Sequence, residues 1–250
     1  MIKKLIKDSF RTIGFDIVRY TKFSDFPRDF KEDEIDIIRQ VRPYTLTSNE
    51  RLYTLVHAVR YLVKNNIPGD IVECGVWKGG SIMAAIKVFQ GLNDTSRSMY
   101  LYDTFEGMVA PTENDTKIDG TNAREAFERY KINKDSSTWC RSDIEEVREA
   151  VFSTGYDRSK LHFVKGKVEE TIPQVIPEKI ALLRLDTDWY ESTKHELVHL
   201  FPRLVPGGVL ILDDYGSWFG ARKAVDEYLS ENKVKIFLSR IDNTGRVAIK

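Results

Sequence analysis

From Ile71 onward, short apolar runs alternate with longer segments in which apolar residues recur every three or four positions. Short runs bounded by turn residues are typical of buried strands, and the periodic segments are typical of amphipathic helices. The alternation therefore predicts an α/β fold with a mostly parallel sheet. Strands are predicted at 70–74, 98–102, 161–164, 180–185 and 208–212, and helices at about 80–91, 142–152 and 193–203.

The end of the chain shows a different pattern. Two short apolar runs, 236–238 and 247–249, flank the sequence Asp-Asn-Thr-Gly at 242–245. Asn and Gly readily adopt the positive φ angles that tight hairpin turns require. The resulting prediction is a parallel sheet that closes with an antiparallel hairpin.

The region before the first strand is helical in pattern. Residues 1–44 predict an N-terminal helical arm or lid, which starts with a basic amphipathic piece and ends near Pro43. Residues 45–250 are predicted to form the main domain, whose first helix begins near Ser48. The polar stretch 108–122 follows the carboxyl end of a strand, where lids over ligands are often built, and it is predicted to be such a loop.

Composition bears on which partners the protein binds and on the cellular compartment in which it works. The 250 residues include 38 basic and 38 acidic side chains, and this zero formal net charge argues against a nucleic-acid partner. Cys74 and Cys140 lack metal-type spacing and favour a reduced, cytoplasmic setting. No apolar run approaches the roughly 20 residues of a transmembrane span. The basic N-terminal piece is expected to dock on the protein, with weak contact to a membrane surface as the alternative.

The stretch 70–81, DIVECGVWKGGS, joins a predicted strand to a predicted helix through a glycine turn. Such a turn gathers backbone N–H groups and the positive end of a helix dipole in one crevice, where open α/β sheets bind nucleotides. Trp77 stands where a dinucleotide-binding motif needs its second glycine. Its ring would block the close approach of a pyrophosphate, so the turn favours a ligand without phosphates.

Asp103 ends the next predicted strand. A carboxylate at this place commonly binds the two hydroxyls of a nucleoside ribose. Taken alone, an N-cap for the following turn is nearly as good an interpretation. Because Asp103 follows the glycine turn, the ribose-binding role is favoured.

Two later strands each end in a pair of carboxylates. Asp186 and Asp188 follow one strand, and Asp213 and Asp214 follow the next. A single pair would be interpreted as a helix cap. Four carboxylates on adjacent strand ends, however, raise one another's pKa and cost stability unless a cation neutralises them. Oxygen-only ligands predict a hard divalent cation, Mg²⁺ first and Ca²⁺ or Mn²⁺ as alternatives.

Five segments carry a family resemblance: DIVECGVWKGGS, YDTFEGM, VKGKVEETIP, LRLDTDWYESTKHEL and GGVLILDDYGSWFGARKAVDEY. In this order they resemble the macrocin O-methyltransferase (TylF/MycF-like) family of class I S-adenosylmethionine-dependent methyltransferases. The resemblance implies a Rossmann-like class I methyltransferase fold, with a seven-stranded, mostly parallel sheet and an antiparallel C-terminal strand. Relatives of this kind are commonly dimers or larger, so a homo-oligomer is expected.

The resemblance also implies a site. S-adenosylmethionine would be the cofactor, and Mg²⁺ or another divalent cation would be held by Asp186, Asp213 and Asp214. The positions matching the cofactor site are Glu73, Gly75, Val76, Trp77, Gly79 and Ser81 around the methionine part, Asp103 at the ribose, and Thr104, Phe105, Gly166, Lys167 and Val168 near the adenine.

The activity implied is O-methylation of a hydroxyl on a sugar or glycosylated small molecule, either a natural product or a surface glycan. Metal coordination would lower the pKa of that hydroxyl and orient its oxygen. Asp186 is the first choice for the catalytic base, by family resemblance, and Asp188 is the second. Two alternatives remain: a metal-dependent glycosyltransferase that uses Asp186 and Asp188, and a cofactor-binding scaffold without catalysis.

Overall fold

The computed structural model describes Thr12, residues 26–134 and residues 136–250. The chain divides into two compact units, Met1–Lys31 and Glu32–Lys250. The basic amphipathic piece predicted at the N-terminus lies outside the described residues. The second unit begins earlier than the domain boundary predicted after residue 44, because its first helix buries Ile38 and Val41.

The second unit is built on one seven-stranded sheet in the order β3-β2-β1-β4-β5-β7-β6. Strands β1 to β5 run parallel, and β7 pairs antiparallel with both β5 and β6. This arrangement confirms the predicted parallel sheet and its closing hairpin. The strands are β1 Asp70–Cys74, β2 Met99–Asp103, β3 Leu161–Lys165, β4 Ile180–Leu185, β5 Leu204–Leu212, β6 Ser239–Arg240 and β7 Arg246–Ile249.

Burial explains why these runs form strands. All six residues of β4 are buried, as expected for a central parallel strand covered by helices on both faces. Strand β5 is longer than the predicted 208–212, because Leu204 already pairs with Ile180 before the register shifts. The irregularity accommodates Pro206 and Gly207, residues that sequence patterns treat as strand breakers.

Eight helices accompany the sheet in the part of the chain that the structure describes. They are α1 Glu32–Val41, α2 Asn49–Lys64, α3 Gly80–Gly91, α4 Ala123–Tyr130, α5 Ile144–Phe152, α6 Val168–Thr171, α7 Tyr190–Leu200 and α8 Phe219–Glu231. Helix α2 begins as predicted, since the Ser48 hydroxyl accepts from Arg51 N. Within the described ranges, no helix is both long enough and apolar enough to cross a membrane.

The polar loop 108–122 is held against the starts of α7 and α8. Buried Asp115 accepts from Tyr190 N at 2.8 Å, and Phe219 N donates to Thr116 O at 2.8 Å. Ile118 N also donates to a backbone carbonyl of the segment before α8. The loop therefore has a defined docked position, and its opening as a lid stays a prediction.

Candidate active site

The carboxyl ends of β1, β4 and β5 meet at one edge of the sheet. Asp186 N donates to Cys74 O at 2.8 Å, and Asp213 N donates to Leu185 O at 2.9 Å, so the residues that follow three neighbouring strands lie side by side. A cavity of about 300 Å³ opens there. Because β1 connects to β2 on one side and β4 connects to β5 on the other, this is the switch point where open α/β sheets bind ligands.

The glycine turn after β1 forms one wall of the cavity. Gly75 has a φ of +82°, and a Cβ at this position would lie 1.9 Å from the Asp186 carbonyl oxygen, so only glycine permits this approach. The Asp103 Oδ2 atom accepts from Val76 N at 2.7 Å and from Trp77 N at 3.0 Å. Asp103 therefore shapes the turn as well as facing the cavity.

Most residues predicted to bind the cofactor line this cavity, namely Gly75, Val76, Trp77, Ser81, Asp103, Thr104, Gly166, Lys167 and Val168. Three others do not line it. Gly79 precedes α3, and Phe105 is 2% exposed. Glu73 is likewise buried; its Oε1 accepts from Arg184 at 2.7 Å, and its Oε2 has no hydrogen-bond partner in the described ranges. Burial raises the pKa of Glu73 to about 7, and the Arg184 charge opposes that rise.

All four aspartates predicted to serve in metal binding or catalysis line the same cavity. One carboxylate oxygen each from Asp186, Asp213 and Asp214 lie within 4.8 Å of one another. The Asp214 Oδ2 atom is buried and has no hydrogen-bond partner among the described residues. Burial and the charges of Asp188 and Asp186 hold the pKa of Asp214 well above its usual range. Burial, with Asp186 nearby, also raises the pKa of Asp188 to about 7.

This donor set fits a hard divalent cation. Three carboxylates reach a common point, they offer only oxygen, and one buried oxygen lacks a partner. The described residues place no cation directly on Asp214. A bound cation would therefore offset the repulsion of Asp214 by Asp188 and Asp186.

Two arginines that sequence reasoning missed partly neutralise the negative charge of these carboxylates. Buried Arg184 donates to Asp213 Oδ1 at 2.6 Å and pairs with Asp186 Oδ2 at 2.8 Å, in addition to its bond with Glu73. Arg51 on α2 contacts the other oxygen of Asp213. The prediction that a metal alone neutralises these carboxylates is therefore wrong, because Arg184 and Arg51 already pair with two of them. The sequence did contain a sign of this network, namely an arginine inside the apolar run of β4. An arginine is almost never buried without carboxylate partners.

An apolar wall completes the cavity. Leu46, Met108, Val109 and Trp189 line it. The Trp189 ring packs 4.9 Å from the Trp218 ring at a near-perpendicular angle, and its Nε1 donates to Val109 O. This indole is fixed by both packing and a hydrogen bond. The loop 108–122 thereby contributes its first residues to the cavity.

Comparison with known proteins places this architecture in the class I methyltransferase fold. The solved structure of the O-methyltransferase NovP superposes with a TM-score of 0.72, at 28% sequence identity, covering 83% of this chain and 82% of that chain. The antiparallel C-terminal strand and the surrounding helices agree with that fold class.

The family follows from sequence comparison. The family model of the macrocin O-methyltransferases (TylF) matches residues 2–249. Relatives include 8-demethyl-8-(2,3-dimethoxy-alpha-L-rhamnosyl)-tetracenomycin-C 4'-O-methyltransferase of Streptomyces olivaceus, 32% identical over 81% of this chain and 74% of the relative. Mycinamicin III 3''-O-methyltransferase of Micromonospora griseorubida is 30% identical over 81% of this chain and 76% of the relative. The chain belongs to the macrocin O-methyltransferase family and is an O-methyltransferase, which confirms the resemblance and sets the glycosyltransferase alternative aside.

Proposed function

We propose that this enzyme transfers a methyl group from S-adenosylmethionine to a hydroxyl of a sugar or glycosylated small molecule, with a divalent cation held by its carboxylates. The observation that carries the proposal is that the glycine turn, Asp103 and the three-carboxylate group all line one cavity. Family membership supports the methyl donor. The names of the two relatives, which act on a rhamnosylated tetracenomycin and on mycinamicin III, support a sugar-bearing acceptor.

The donor half of the cavity would be formed by the glycine turn and Asp103. S-adenosylmethionine supplies an electrophilic methyl group on a sulfonium. The chain contributes the backbone of the turn, the Asp103 carboxylate for ribose hydroxyls, and the backbone around Gly166 and Lys167 at the far end. These groups hold the donor in one orientation, and proximity supplies much of the acceleration of an in-line displacement.

The acceptor half would be formed by the carboxylates and the apolar wall. Asp186, Asp213 and Asp214 would hold the cation, which lowers the pKa of a coordinated hydroxyl. Leu46 and Val109 offer apolar surface to the C–H groups of a sugar and its aglycone. Arg184 and Arg51 keep Asp213 in place from the protein side.

Asp188 is the base that the geometry favours over Asp186. One Asp186 oxygen pairs with the Arg184 guanidinium, and Asp186 belongs to the group that would hold the cation, so fewer of its lone pairs would be left to take a proton. Asp188 lines the cavity and forms no ion pair with any residue in the described ranges. A carboxylate that is not bound to a cation accepts a proton more readily. Asp188 would therefore take the proton from the acceptor hydroxyl.

Titration calorimetry with S-adenosylmethionine tests the donor half first, once with Mg²⁺ and once with EDTA. We expect binding under both conditions, because the turn and Asp103 form a site without the metal. Methyl transfer to a panel of glycosylated acceptors is then expected with Mg²⁺ and lost with EDTA. If S-adenosylmethionine binds neither with Mg²⁺ nor with EDTA, the assignment of the cavity to this cofactor is refuted.

Replacing Asp103 with asparagine is expected to weaken S-adenosylmethionine binding about 10- to 100-fold. The carboxylate orders two N–H groups of the turn and would accept hydrogen bonds from the ribose, and bonds to a charged group are each worth about 1.5–3 kcal/mol. Calorimetry measures the change. Asp119→Asn on the exposed part of the 108–122 loop serves as the control with unchanged affinity, and equal affinities of Asp103→Asn and wild type would exclude the ribose role.

Homo-oligomerisation, a cytoplasmic setting and contact of the N-terminal piece with a membrane surface stay predictions.

A further inference from the structure

Glu196 is a buried acid that the proposed mechanism does not use. It lies on α7 with no exposed surface, and no basic residue pairs with it within the described ranges. The Thr187 hydroxyl donates to its Oε2 at 3.2 Å, whereas its Oε1 has no hydrogen-bond partner in the same ranges. Such a group is costly to bury, so its retention calls for a physical reason.

Thr187, which donates to Glu196, belongs to a strained turn. Thr187 stands between Asp186 and Asp188, and Asp188 has a φ of +65°. A residue with a Cβ is unfavourable in this region unless its surroundings hold it there. Trp189 N donates to Thr187 O at 2.7 Å, which closes the turn on its other side. Thr187 is thus fixed through its carbonyl by the turn and through its hydroxyl by Glu196.

Glu196 also lies near the end of β1. Burial, and then the nearby Glu196 carboxyl group, raise the pKa of the Cys74 thiol, the last residue of that strand. Glu196 is thus close both to the end of β1 and to the turn after β4 that carries the predicted base.

We propose that Glu196 is a positioning residue, which holds Thr187 and thereby fixes the backbone that directs Asp188 into the cavity. The kinetic consequence of this role rests on the proposed function, whereas the structural consequence does not. Burial holds the pKa of Glu196 well above its usual range, which favours the neutral acid. A neutral amide of the same shape is therefore able to replace it.

Hydrogen–deuterium exchange tests the positioning role without an acceptor. In Glu196→Leu, the amides of 187–189 are expected to exchange at least about tenfold faster than in wild type, because the turn loses its support. Glu196→Gln keeps an oxygen that accepts from Thr187 and is expected to restore most of the protection. Glu34→Leu is the control for removing a fully buried glutamate elsewhere: Glu34 lies on α1 and pairs with Arg60, and its loss is expected to leave exchange in the turn unchanged. Equal exchange rates in Glu196→Leu and wild type would overturn the proposal.

Steady-state kinetics tests the consequence. Thr187→Val and Glu196→Leu are each expected to lower kcat about tenfold with the KM for S-adenosylmethionine unchanged, and the double variant is expected to lose no more than either single one. Strictly multiplicative losses in the double variant would count against the shared role. If the exchange results hold while wild type methylates no sugar-bearing acceptor, the proposed function fails and the positioning role stands.

Discussion

Replacing Arg184 with leucine is expected to destabilise the protein by about 3–5 kcal/mol. The guanidinium is buried and bridges Glu73, Asp186 and Asp213, with distances of 2.6–2.8 Å to their carboxylate oxygens. Removing one partner from a buried ion pair leaves an uncompensated charge, which costs far more than the pair itself contributes. Equilibrium urea unfolding, with the free energy of unfolding extrapolated to water, measures the effect.

Two further variants separate this cause from a simple packing defect. Glu73→Gln in the Arg184→Leu background is expected to recover part of the lost stability, because it removes one of the carboxylates left without a cation. Arg39→Leu on α1 is the exposed control: its ion pairs are 3.6 Å long, and exposed pairs contribute less than about 1 kcal/mol. A loss below about 1 kcal/mol for Arg184→Leu would contradict the role assigned to this network.

The convergence of the carboxylates was predictable, whereas the arginine network was not. Parallel strands bring their carboxyl ends to one edge, so acids after two strands were expected to meet. The partner of Arg184 depends instead on register: Arg184 lies directly opposite Glu73 in the β1–β4 ladder. Register across strands that are more than 100 residues apart in the chain is a tertiary property. A local sequence pattern contains the arginine but not its partner.

Element boundaries show the same limit. Helix α7 was predicted at about 193–203 and extends over Tyr190–Leu200. It starts earlier because Asp115, from a loop far away in the chain, accepts from Tyr190 N, and it stops earlier because Pro202 follows in a short 3-10 turn. Helices α4, α6 and α8 were not predicted. Trp218 precedes α8 without making a side-chain cap bond, so the usual start signal is missing there.

Replacing Asp214 with asparagine is expected to lower methyl transfer at least about 100-fold while leaving S-adenosylmethionine affinity within about twofold of wild type. A coordinated cation supplies several kcal/mol of charge stabilisation, and about 2.7 kcal/mol already corresponds to 100-fold in rate. The donor half of the cavity does not depend on this carboxylate. Turnover measured with Mg²⁺, together with calorimetry for the donor, checks both parts.

The stability of the same variant distinguishes a functional carboxylate from a structural one. Asp214 is half-buried and repelled by Asp188 and Asp186, and its buried Oδ2 atom has no hydrogen-bond partner in the described ranges. Asp214→Asn removes the repulsion wherever Asp214 is ionised and changes little wherever its raised pKa keeps it protonated, so in metal-free buffer the variant is expected to melt at the same temperature as wild type or higher. Asp226→Asn, an exposed change on α8, is the control for both turnover and melting temperature.

Near-normal turnover of Asp214→Asn in the presence of EDTA would rule out the metal mechanism, whereas a lower melting temperature would mean that Asp214 supports the fold. A carboxylate whose loss stabilises the protein and abolishes turnover is retained for chemistry.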